Sequence, residues 1–296
     1  MKRPCFGLFR SFCNRIVGLG EKMLINLNTV FKNSNFCNVS FNFYNIESLK
    51  AILNAAKQSE KPAIAAFGEG YLSYMPLELT VETIKVLDRL YNIPVVFHLD
   101  HARRKEVIFQ AIELGFSSVM YDGSSLSIEE NIRNTKEIVE YAQKYGVSVE
   151  GELGCMNPED GTRGRVCPQN DFLTNVDQAA RFTVETGVDA LAVSVGNAHG
   201  VYSGCPHIDF DRILKIRDAT HIPLVLHGCS GIPFGDIRKA VQCGIRKINV
   251  NTDMAMEAAR EVKRFLNEHD ENIRMEKVME CAQAAMEQVA LRYLDI

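Results

Sequence analysis

The sequence predicts an α/β chain, a (β/α)8 barrel followed by an extra C-terminal helix. Three observations predict it. Eight short apolar runs recur through the chain at a repeat of roughly 30 residues, too regular and too numerous for most open doubly wound sheets. Helical patterns with apolar residues at i, i+3 and i+4 separate the runs. Polar and titratable residues gather at the C-terminal ends of the runs, where such barrels carry their chemistry. Parallel strands linked by helices are covered on both faces, so they read as continuous apolar stretches.

The runs lie at 38–43 (NVSFNF), 62–67 (PAIAAF), 94–99 (PVVFHL), 117–121 (SSVMY), 147–152 (VSVEGE), 189–194 (DALAVS), 222–227 (IPLVLH) and 245–250 (IRKINV). Clear helical patterns fall at 46–58, 128–145 and 176–186. Residues 271–296 read as the extra helix, with Met275, Val278, Met279, Ala282, Met286 and Val289 along one side. That side would cap the barrel or pack on a second subunit.

The chain has 296 residues, 46% hydrophobic and 24% charged, a composition that excludes disordered and fibrous classes. Net charge is −4, so no overall basic field invites nucleic acid. No apolar run approaches the roughly 18 residues of a membrane span. Nine scattered cysteines without a C-x-x-C pair read as reduced thiols of a cytoplasmic protein, not a disulfide or cysteine–zinc framework. Residues 1–22 carry Lys2, Arg3, Arg10, Arg15 and Lys22 against Glu21 alone. They lack a secretory core and cleavage site. They are expected to be a disordered basic extension, or to precede a working start at Met23. Residues 23–296 form the expected single barrel domain.

At the strand ends stand Asp100-His101, Asp122, Glu150-Gly151-Glu152, Asn197-Ala198-His199, His227 and Asn249–Asp253. Three imidazoles, His101, His199 and His227, fall on strands three, six and seven. Three histidines with an open position make a catalytic zinc site. His98, deeper in its strand, is expected to support that site, and His207, His221 and His269 to lie on the surface. The glycine-rich turns after strands six, seven and eight would let backbone N–H groups approach a phosphate. Glycines that merely permit tight turns fit the same residues.

HLDH (98–101), VEGELG (149–154), GNAHGVY (196–202), HGCSGIP (227–233) and KINVNTD (247–253) resemble the class II, metal-dependent ketose-bisphosphate aldolases, a TIM-barrel family. The stretch 172–210 is similar to the tagatose-bisphosphate branch. The resemblance implies retro-aldol cleavage of fructose 1,6-bisphosphate or tagatose 1,6-bisphosphate to dihydroxyacetone phosphate and glyceraldehyde 3-phosphate. It implies Zn2+ on His101, His199 and His227, with Asp100 as the acid/base at the C4 hydroxyl. Asp122 and Glu152 would serve alternative metal positions or order the site. Gly200, Gly228, Cys229, Ser230 and the turn Asn249, Val250, Asn251, Thr252 would hold the phosphate, beside a monovalent cation such as sodium or potassium. Glu159, or Asp160, on the loop after strand five would protonate the enediolate. A homodimer or homotetramer is implied.

The chain departs from that pattern in three places. Asn157-Pro158 replaces a glycine pair and stiffens the loop. Gly68 stands where relatives tend to have serine, which removes a contact to the aldehyde half. Asn272-Ile273-Arg274 replaces a Pro-Arg-Lys near the last helix. An aldolase for another phosphorylated sugar or keto acid, and a catalytically impaired paralogue, are the alternatives. A zinc hydrolase fits less well, because the first strand, NVSFNF, lacks an His-x-His.

Overall fold

The computed structural model describes residues 24–154, 173–202, 204, 206–269 and 272–296. Eight parallel strands close into a barrel in sequence order, β8 pairing back onto β1. They are β1 (Asn38–Asn42), β2 (Ala63–Gly68), β3 (Val95–Ala102), β4 (Ser118–Tyr121), β5 (Ser148–Leu153), β6 (Ala190–Val193), β7 (Leu224–Leu226) and β8 (Ile245–Val250). Every predicted run overlaps one of them. The helices are α1 (Leu27–Asn33), α2 (Ile46–Ser59), α3 (Leu77–Tyr91), α4 (Lys105–Leu114), α5 (Ile128–Gln143), α6 (Val176–Thr186), α7 (Phe210–Thr220), α8 (Phe234–Cys243), α9 (Thr252–Glu268) and α10 (Met275–Leu294). Their ends carry cap residues. Asn45, Ser127, Asn175 and Asp209 cap N-termini through their side chains, supplying acceptors that the first turn otherwise lacks.

Alternation with period two divides each strand between two cores. Outward residues such as Phe41, Phe67, Phe97, Leu99, Val119 and Leu191 pack under the helices in one continuous cluster. Inward, Ile64, Val96, Met120, Ala190, Ala192 and Val225 fill the lower barrel together with Ile25, Leu27, Val30 and Phe31. The helix α1 therefore plugs the N-terminal end of the barrel. It is tied there by the Leu27 amide donating to Ser148 Oγ at 3.1 Å. With the bottom sealed by apolar side chains, the polar inward residues of the upper half define the working end.

The C-terminal helix is real but shorter than the expected 271–296, and the expected apolar side is buried only toward its C-terminal end, at Met286 and Val289. Ala285, Met286, Val289, Ala290, Tyr293 and Leu294 are buried, whereas Met275 is exposed. The helix α10 lies against α2 and α9, and its buried residues fall in the second half. Residues 1–22 lie outside the described residues. No helix among the described residues is long and apolar enough to cross a membrane.

Candidate active site

The upper barrel is built by β3, β5, β7 and β8. His98 and Asp100 on β3, Glu150 and Glu152 on β5, and Lys247 and Asn249 on β8 follow the same two-residue alternation, and all six are buried. His101 breaks it. The β3–β4 register shifts between Leu99 and Ala102, and His101 takes the left-handed backbone at φ 49°. A bulge of this kind re-aims one side chain, so two consecutive residues, Asp100 and His101, both line the cleft. An L-residue in that region is strained, and such strain collects at functional sites.

His101, His199 and His227 offer ring nitrogens that all lie within 4.8 Å of one another. His101 Nε2 is 2.9 Å from His227 Nδ1, a little closer than the about 3.3 Å between nitrogens bound tetrahedrally at 2.0–2.1 Å. The other nitrogen of His227, Nε2, lies 2.8 Å from Glu150 Oε1. With Glu150 ionised, Nε2 carries the proton and donates to that carboxylate, which leaves a lone pair on Nδ1 toward the cleft. A carboxylate that sets the tautomer of a metal-binding histidine is a common device. Burial foremost lowers the pKa of His227 and favours the neutral form that a metal takes. Three convergent imidazole nitrogens, one of them pinned from behind, fit a divalent cation of borderline softness. His101 forms a second such group with Asp122 and Glu152, also within 4.8 Å.

Asp100 lies beside the trio. Its Oδ2 accepts from Asn42 Nδ2 at 2.8 Å and its Oδ1 from Asn249 Nδ2 at 3.3 Å. Burial works to raise its pKa, but His101, His98 and His227 outweigh it and hold the carboxyl well below the usual range. An ionised carboxylate with both oxygens oriented is a proton acceptor. Around it the cleft is completed by Gly228, Ser230, Asn251 and Thr252.

The loops are held together by their own side chains. Tyr202 Oη accepts from the Ala198 amide and donates to the Gly228 carbonyl, both at 2.9 Å. Asn197 Nδ2 donates to the His227 carbonyl at 3.1 Å. Gly228 is at φ 62°, and a Cβ there would stand 2.0 Å from the Ala198 carbonyl oxygen. No other residue permits that approach of the β6 and β7 loops.

The description "Fructose-bisphosphate aldolase class-II" matches residues 25–296, nearly the whole chain. The chain belongs to the class II fructose-bisphosphate aldolase family. This aldolase-family chain is 41% identical over 235 residues to the 6-phospho-5-dehydro-2-deoxy-D-gluconate aldolase of Bacillus subtilis, a span of 78% of this chain and 79% of that one. The crystal structure of the YdjI aldolase from Escherichia coli K12 matches with TM-score 0.81 and 33% identity, over 92% of this chain and 96% of that one. A putative fructose-1,6-biphosphate aldolase from Coccidioides immitis matches with TM-score 0.80 and 30% identity, over 91% and 93%.

Within this family member, the predicted residues do not all reach the cleft. Asp100, His101, His199, His227, Gly228, Ser230, Asn249, Asn251 and Thr252 line it. The side chains of Cys229 and Val250 do not. Both are fully buried in the shell under the helices, where Cys229 Sγ meets the Leu226 carbonyl, so their backbones are what they offer a ligand. Gly200 is not among the lining residues. Glu159, Asp160 and Asn157-Pro158 lie outside the described residues. His98 is buried with Nδ1 2.8 Å from Ser118 Oγ, and His207, His221 and His269 are exposed. At Gly68, a Cβ would stand 3.3 Å from the Tyr71 ring, and Tyr71 Oη accepts from Asn251 Nδ2 at 2.8 Å. Asn42, Glu150, Lys247, Tyr71 and Tyr202 were given no role from the sequence, although Glu150, Lys247 and Tyr202 lie inside the quoted motifs. A lysine and a glutamate at inward positions of buried strands were the available signal for two of them.

Proposed function

We propose that this chain is a zinc-dependent aldehyde-lyase that cleaves the C3–C4 bond of a phosphorylated ketose and releases dihydroxyacetone phosphate. One piece of geometry supports this above all. An ionised Asp100, aimed by Asn42 and Asn249, borders the same cleft as three convergent imidazoles. His101, His199 and His227 would hold a zinc ion, which would supply Lewis-acid chemistry at the ketose C2 oxygen. Asp100 accepts the C4 hydroxyl proton, C4 departs as an aldehyde, and C3 keeps the bonding pair. Protonation at C3 then completes the triose phosphate, and we assign that proton to Glu159, with Asp160 as its neighbour. Asp122 and Glu152 order the site and, with His101, offer a second metal position.

The phosphate of the dihydroxyacetone half is assigned to Ser230 and the backbone of Gly200, Gly228, Cys229 and the 249–252 turn, where α9 begins. Amides at a helix N-terminus, with its dipole, favour an anion. A sodium or potassium ion beside that phosphate, a homodimer or homotetramer, and a cytoplasmic location complete the proposal.

Fructose 1,6-bisphosphate and tagatose 1,6-bisphosphate are the expected substrates. They differ only at C4, next to Asp100. A second reading, a phosphorylated keto acid, is favoured by the 41% identity to the deoxygluconate-phosphate aldolase. The aldehyde half alone separates them. A coupled cleavage assay on all three compounds, with and without EDTA, decides: EDTA-sensitive release of dihydroxyacetone phosphate is expected from one of them. Turnover of none by the zinc-loaded protein would defeat the proposal.

A further inference from the structure

We propose that Tyr293, near the end of α10, is a positioning residue for the phosphate cradle, holding the Asp253 carboxylate so that it does not compete with the substrate phosphate. The proposal rests on the assignment of Ser230 and the 249–252 turn to phosphate binding.

Tyr293 is 2% exposed and its Oη donates to Asp253 Oδ2 at 2.6 Å. The same hydroxyl lies 3.4 Å from the Cys229 carbonyl, and its ring packs against Phe234 with centroids 5.0 Å apart. It therefore touches both the loop after β7 and the head of α9. Those two segments are already joined. The Asp253 amide donates to Ser230 Oγ at 3.1 Å, and the Cys229 amide to the Asn249 carbonyl at 3.1 Å. A residue distant in sequence thus closes the arrangement from below.

The chemistry of Asp253 makes that contact consequential. Asp253 sits in the first turn of α9, where unsatisfied amides and the helix dipole favour an anion. Its own carboxylate is a tethered anion beside the place assigned to the phosphate. A buried phenol that donates a charge-assisted bond spreads that charge and keeps the carboxylate turned toward α10. Burial, and then Asp253 itself, raise the Tyr293 pKa, so the hydroxyl remains a donor throughout the neutral range. Phenylalanine would keep the ring packing and lose only the donor.

The test uses the zinc-loaded full chain and dihydroxyacetone phosphate as the probe, with calorimetric binding and steady-state cleavage measured together. Tyr293→Phe is expected to raise the Kd for dihydroxyacetone phosphate and the KM about tenfold, the weight of one charge-assisted bond. The kcat is expected to stay within about twofold, because no group at the reacting carbons changes. Adding Asp253→Asn to Tyr293→Phe removes the competing charge and is expected to return the Kd to within about threefold of the parent. Asp253→Asn alone, which keeps the Tyr293 hydroxyl, is expected to bind as the parent does. A packing role for Tyr293 predicts the opposite, a double variant no better than Tyr293→Phe. That result, or unchanged affinity in Tyr293→Phe, overturns the proposal. A parent protein that does not bind dihydroxyacetone phosphate overturns the cradle assignment itself, and this proposal with it.

Discussion

Glu150 meets His227 through one oxygen and Lys247 through the other, each at 2.8 Å, with all three side chains fully buried. Burial works to raise its pKa, but the Lys247 ammonium and then the bond from His227 bring it down to about 2. The ammonium keeps the carboxylate ionised, and the ionised carboxylate fixes the His227 tautomer. Glu150→Gln is therefore expected to lower zinc affinity by about ten- to a hundredfold, measured by competition with a chromogenic chelator. It also strands a buried charge, which costs about 3–5 kcal/mol in denaturant unfolding. Glu150→Gln with Lys247→Met is expected to recover most of that stability and none of the zinc affinity. Equal zinc affinity in all three proteins would remove Glu150 from the site. His101, His199, His227 and Asp100 were legible as candidates because a polar residue at a strand end already speaks for itself. Glu150 and Lys247 stood inside the quoted motifs but were given no role, because each acquires one only from a partner 97 positions away.

Strands were legible for a physical reason. A parallel strand covered on both faces is mostly apolar, as in β2 (AIAAFG) and β6 (ALAV), and even β8, IRKINV, which carries polar inward residues, matches its predicted run to the residue. The helix α1 was not legible, because seven residues, LNTVFKN, carry too few apolar positions for a period to stand out. Its role as a plug depends on the barrel being there. Likewise, α10 has apolar residues along its whole length, and only tertiary contact selects the second half for burial. At α3 the surprise is a charge. The Asp88 Oδ1 is buried without a hydrogen-bond partner, and burial raises the carboxyl pKa to about 6, against a lowering by Arg89. A folded-state pKa above the unfolded value of 3.8 means that the folded chain binds the proton more tightly. Stability from this group is full below the unfolded value, declines as pH rises from about 4 to about 6, and is lost above. Asp88→Asn is expected to stabilise the protein by about 1 kcal/mol at pH 8, after solvent screening, and not at all at pH 4. Denaturant unfolding of both proteins at the two pH values measures it, and an equal difference at both would contradict the assignment.

Closure of the barrel is what brings the three imidazoles together, and, on the proposed function, the coupling runs both ways. His101, His199 and His227 come from the ends of β3, β6 and β7, separated by 98 residues between the first pair and 28 between the second (199 − 101 and 227 − 199). The unfolded chain has no preformed trio, so a bound cation stabilises the folded barrel alone, by RT ln(1 + [L]/Kd). At a free zinc concentration of about a thousand Kd this amounts to about 4 kcal/mol. For a chain of this size that corresponds to a rise in Tm of roughly 5–10 °C, compared at one scan rate. EDTA is expected to reverse the rise, and His199→Ala to abolish it while leaving the metal-depleted Tm near that of the parent. The last comparison is the informative one. His199 is only half-buried at the rim, so its loss costs the barrel little apart from the metal. A Tm that ignores zinc in the parent, or a rise that survives in His199→Ala, would mean that these three imidazoles converge without sharing a cation.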